Sequence, residues 1–132
     1  MEIQNTSLTA RRKGLVQIIY RYYILNCDKQ KILQEILDNF QLEFDDNAIQ
    51  VALDLVKEIE AIEEVASLHL SKEWSWNRIP NIFKAIIVVG IYEIKFLKVA
   101  KAIIINEMVE LARTYQPDLD SKFINAILDK VA

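Results

Sequence analysis

The sequence predicts an all-α domain, and three observations carry that reading. Apolar residues recur every three or four positions along nearly the whole chain, the period of a helix that buries one face. Two glycines and two prolines among 132 residues are too little turn chemistry for a β fold built from hairpins. A hydrophobic content of 52% lets a chain of this length close one core without metal or disulfide staples. The lone cysteine, Cys27, rules out a disulfide framework and fits a reducing, cytoplasmic setting.

The elements follow in order. Thr9 is a fitting N-cap for a first helix reaching about Asn26, with Leu15, Ile18, Ile19, Tyr22 and Leu25 as its buried stripe. A second helix is expected from Lys29 to Phe40, turning Ile32, Ile36, Leu37 and Phe40 inward. Asp45 or Asp46 caps a third that buries Ala48, Ala52, Leu55, Ile59, Ile62 and Ala66 and ends near Leu70, long enough to invite a break. Ser71 to Pro80 reads as a loop, because Pro80 disfavours helical geometry at Ile79 and suits the start of the next helix. That helix, Asn81 to about Lys98, is apolar on most sides and is therefore expected at the centre. Ala102 to Tyr115 forms the next, ended by Gln116-Pro117-Asp118. Asp118, Asp120 or Ser121 then caps a last helix with Phe123, Ile124, Ile127, Leu128 and Val131 facing inward.

Catalytic groups do not converge in this sequence. The one histidine, His69, has no second His or Cys near it, and none of the serines sits in a glycine-flanked nucleophile turn. Gly14 and Gly90 stand far apart, so there is no glycine-rich phosphate loop. Glu60, Glu63 and Glu64 read as charges on a helix face. No enzyme, metal or cofactor is expected. The longest apolar run, Ala85 to Tyr92, falls far short of the roughly 20 residues that span a bilayer, and the first ten residues lack the apolar core of a signal peptide. A protein without membrane contact follows.

The net charge of −3 hides a split. Residues 1–31 carry six basic side chains against Glu2 and Asp28, and the remainder ten basic against seventeen acidic. A basic head on an acidic body can still meet phosphate, since charge further away is screened. With Lys13 set at zero on a helical wheel, Gln17, Tyr20 and Arg21 fall at about 40°, −20° and 80°. The apolar stripe lies opposite. A cation, an amide and an aromatic ring on one face suit single-stranded RNA, where cations hold phosphates and rings stack bases. An ordinary solvated face is the alternative. Arg11 and Arg12 add charge near the helix start. In the loop, Trp74 and Trp76 can each fold back as a lid or anchor a protein contact, with Trp76 better placed as the lid.

Ile105-Asn106-Glu107-Met108-Val109-Glu110-Leu111-Ala112-Arg113 followed by Lys122-Phe123-Ile124-Asn125-Ala126-Ile127-Leu128-Asp129-Lys130 resembles the C-terminal signature of the NusB family of bacterial transcription antitermination factors. Trp76-x-Arg78-Ile79, Ile91-Tyr92-Glu93-Ile94 and Arg12-x-x-x-Val16-Gln17-x-x-Tyr20 resemble its central elements and first helix. The chain departs from the pattern at Leu8 and Thr9, where an arginine pair is usual, and at Val88, Ala100 and Ala126.

The resemblance implies a single RNA-binding domain over residues 1–132, made of two helical bundles spanning 1–70 and 71–132. It implies a non-catalytic antitermination factor that binds boxA-type single-stranded RNA with the ribosomal protein NusE and acts on the RNA polymerase elongation complex indirectly. A homodimer of the free protein is left open. The implied RNA contacts are Arg12, Gln17, Tyr20, Lys122 and Phe123, to which the local charge adds Arg11 and Lys13. Asn106 and Glu107 are expected to hold helices together. Two alternatives remain: the RNA-binding domain of a ribosomal RNA cytosine methyltransferase, which would need a nucleotide-binding domain downstream of Ala132, and a helical adaptor with no RNA role.

Overall fold

The computed structural model describes residues 2–38 and 45–131, the side chains of residues 2–7 excepted. Among the described residues are seven α-helices, one 3-10 turn and no strand. The helices are α1 (Glu2–Ile24), α2 (Lys29–Leu37), α3 (Asp46–Lys57), α4 (Ile59–Leu68), α5 (Asn81–Lys95), α6 (Lys101–Tyr115) and α7 (Lys122–Lys130), with the 3-10 turn at Trp76–Arg78.

Helix α1 starts well before Thr9, because nothing in residues 2–8 breaks a helix. Thr9 is therefore an interior residue and not a cap. The stripe Leu15, Ile18, Ile19 and Tyr22 is buried as expected, and Val16 and Tyr23 widen it. Asp28 caps α2 through a bond from the Lys31 amide, and Asp45 caps α3 through one from the Ala48 amide at 2.8 Å. Ile32 and Ile36 point inward on α2, but Leu37 is exposed, and Phe40 lies outside the described residues. The long third helix breaks at Glu58, giving α3 and α4 in its place while every expected core position stays buried.

Helix α5 is the centre of the molecule. It packs against α1, α4, α6 and α7, and every residue from Phe83 to Ile94 is buried. Gly90 lets this happen: a Cβ there would stand 2.9 Å from Leu128 Cδ2 on α7 and 3.5 Å from Met108 Cγ on α6. The helix stops at Lys95, three residues earlier than expected, because Lys98 adopts a left-handed φ of 58° and turns the chain toward α6. The turn between α1 and α2 uses the same device at Asn26 and Cys27. A chain with two glycines turns its corners with side-chain-bearing residues.

Candidate nucleic-acid interface

Helix α1 presents two faces to two environments. Outward stand Lys13, Gln17, Tyr20 and Ile24, all exposed, with Tyr20 at 37%. Gln17 Nε2 donates to Tyr115 Oη at 3.5 Å, joining this face to the last residue of α6. Lys13 carries no ion pair among the described residues. Arg21, expected on the same face, bends away: its Nε and Nη2 donate to the two oxygens of Glu35 at 2.7 and 3.1 Å, tying α1 to α2. That hydrogen bond raises the Arg21 pKa further.

Arg12 belongs to the inward face and is 6% exposed. Its Nε donates to both oxygens of Glu93 at 2.9 and 3.0 Å, and its Nη1 to Glu107 Oε1 at 3.1 Å. Arg11 approaches the same carboxylate, Nη2 to Oε1 at 3.9 Å, with only 12% of its side chain exposed. Glu93 itself is fully buried in α5. Burial pushes its carboxyl above the ordinary value although Arg12 and Arg11 pull it down. The Arg12 bonds engage Nε and Nη1 with Glu93 and Glu107, so of the guanidinium only Nη2 is left for the phosphate contact expected of Arg12. Glu107 joins helices as expected. Asn106 does not: it is exposed and lines an open groove of 580 Å³ between α6 and α7, with Lys101, Glu110, Arg113 and Asp129.

The C-terminal half brings a second set of groups together. Lys122 is exposed at the first position of α7, its amide donating to Asp120 Oδ1 at 2.9 Å. Asp120, and not Asp118, thus meets the start of that helix. Phe123 is half-buried, packed at 5.3 Å between ring centroids on the buried Phe83 of α5. Its other neighbour is Trp74, nearly parallel at 9° and 5.9 Å away. Trp76 is the lid: its Nε1 donates to Glu63 Oε2 at 3.2 Å, and its ring meets Tyr23 edge-on. Tyr23 Oη donates to the same Glu63 oxygen at 2.6 Å, and burial together with that bond pushes the phenol up. The ammonium of the buried Lys84 lies over both rings, 5.2 Å from Tyr23 and 6.0 Å from Trp76.

Two features escaped sequence reasoning. Glu93 stands alone as an acid inside the apolar run of α5, a signal that a buried cation must face it. The Trp74–Phe123 stack joins residues 49 apart in sequence and left no local trace. Among the described residues no three His, Cys, Asp or Glu side chains gather as a metal site, and no helix is long and apolar enough to cross a membrane.

The profile of the NusB family matches residues 9–132. The chain is 33% identical over 126 residues to the transcription antitermination protein NusB of a Nitratiruptor species, covering 92% of this chain and 88% of that protein. It is 34% identical to the protein of that name from Wolinella succinogenes, over 89% of this chain and 88% of the relative. With the Helicobacter pylori protein it shares 35% identity over 94% of this chain and 91% of the relative. No solved structure matches.

Proposed function

The chain belongs to the NusB family and serves transcription antitermination, and we propose that it does so as a non-catalytic, cytoplasmic adaptor for RNA. In this role it binds boxA-type single-stranded RNA together with the ribosomal protein NusE, and through that complex acts on elongating RNA polymerase. The observation that carries the proposal is the outward face of α1. Lys13, Gln17 and Tyr20 are exposed side by side, and the Gln17–Tyr115 bond links them to the C-terminal end of α6, from which the chain leads to Lys122 and Phe123. A cation, an amide, a ring, a second cation and a second ring are the groups that hold an unpaired strand without reading a duplex. Arg12, and Arg11 beside it, act as positioning residues, fixing α1 on α5 through Glu93.

The test is a titration of labelled boxA-type RNA with the protein, with and without NusE, at two salt concentrations. Binding in the presence of NusE, weakening with salt, is expected. Tyr20→Ala is expected to cost about 1–3 kcal/mol of RNA affinity with an unchanged melting temperature, and Tyr20→Phe to retain most of it. No binding in the presence of NusE would sink the RNA role. Full affinity in Tyr20→Ala would sink the assignment of α1.

A further inference from the structure

We propose that Trp74 is a nucleobase-stacking residue that continues the RNA path from α7 onto the loop between α4 and α5. This deepens the role proposed above and rests on it. Four observations carry the inference. The Trp74 ring spends one face on Phe123, nearly parallel to it, and still leaves 47% of the residue exposed. A lid would be covered, as Trp76 is. The loop is pinned on both sides of Trp74: its amide donates to Ser71 O at 3.1 Å, Trp76 is held by Glu63 and Tyr23, and Ile79 is 2% exposed in the core. The ring is therefore presented before any ligand arrives, which spares the cost of ordering it on binding.

The stack on Phe123, at the start of α7, and exposed cations near both rings in sequence point to the occupant. Lys72, Arg78 and Lys122 are exposed and carry no ion pair among the described residues. Glu73 is the one acid within residues 71–80, and Asp118 and Asp120 precede Lys122, with Asp120 Oδ1 2.9 Å from the Lys122 amide. Parallel aromatic rings flanked by free cations fit a strand whose bases stack while its phosphates are neutralised. Every base has a flat face, so this contact adds affinity without demanding a particular base.

The experiment uses the full chain with NusE and labelled boxA-type RNA. Trp74→Ala is expected to weaken RNA binding about 5- to 150-fold, Trp74→Phe to restore most of it, and neither to change affinity for NusE. Tryptophan fluorescence supplies a second readout that does not depend on how well the alanine variant folds. RNA should quench the wild-type protein, and Trp74→Phe, which keeps Trp76 as the chain's one tryptophan, should lose that quench. Wild-type protein that binds no RNA overturns the RNA role and this inference together. Normal RNA binding by Trp74→Ala, or an unaltered quench in Trp74→Phe, overturns the inference alone. Loss of NusE affinity with RNA affinity retained makes Trp74 a protein contact and also overturns it.

Discussion

Arg12 and Lys13 are adjacent cations on α1, yet Arg12 is buried against two carboxylates while Lys13 stands in solvent with no ion pair among the described residues. One residue along a helix is a rotation of about 100°, enough to carry a charge from the molecule's centre to its surface. The difference teaches that a basic run in a sequence is not a basic patch in a fold. Of the three cations expected to meet phosphate at the start of the domain, two are turned toward Glu93 and one is presented.

The largest expected effect breaks the inner half of this comparison. Arg12→Ala strands the Glu93 carboxylate in the core, and removing one partner of a buried pair costs about 3–5 kcal/mol. A thermal or urea melt should show it as a large loss of stability. Arg12→Lys should rescue only partly, since an ammonium cannot reproduce the guanidinium contacts to Glu93 and Glu107. A variant as stable as the wild type but defective in RNA binding would return Arg12 to the outer face.

The same rotation explains what the sequence made legible. Period and punctuation were enough for six helical segments, one of which breaks at Glu58 into α3 and α4, because each buries an apolar stripe that repeats at helical spacing. Boundaries failed where local signals were weak. Thr9 looked like a cap in a stretch with no stop signal, and Lys98 ended α5 through a left-handed turn that its residue type does not announce. Of the candidate site, Lys13, Gln17 and Tyr20 were readable from the wheel, since their exposure follows from where the core stripe lies. The inward turn of Arg12 was not readable from α1 alone, because its cause is Glu93 on a helix 81 residues away. The pairing of Trp74 with Phe123 has the same origin in tertiary packing.

A smaller effect sharpens the outer half. Lys13→Ala removes one exposed charge that no carboxylate holds, so stability should stay within about 0.5 kcal/mol of wild type. If Lys13 meets a phosphate, the slope of log affinity against log salt should fall by about 0.7, the value for one contact on a single strand. The slope is the discriminating measurement. Arg12→Ala, compared at a temperature where it remains folded, should leave it unchanged.

The smallest expected effect concerns how the buried and exposed carboxylates titrate. Burial holds the Glu93 carboxyl above its ordinary value of 4.5, with Arg12 and Arg11 only partly offsetting it, so between 4.5 and the raised folded value the folded chain binds more proton than the unfolded chain. Stability from this group is complete below 4.5 and is lost as pH rises through the raised folded value. Glu60 has the opposite sign. Its bond to Lys29 lowers its carboxyl, so its contribution is present above its unfolded value of 4.5 and is lost as pH falls through the folded one. Melting curves taken from neutral pH down to about 4 should therefore show wild type gaining on Glu93→Gln as acid is added. Wild type should hold steady or lose slightly against Glu60→Gln, the weaker trend because Glu60 is exposed to solvent. Parallel curves for wild type and Glu93→Gln would mean that Arg12 fully offsets the burial of Glu93. The inner cation would then be doing for its carboxylate what Lys29 does at the surface, and the contrast between the two faces of α1 would be one of position only.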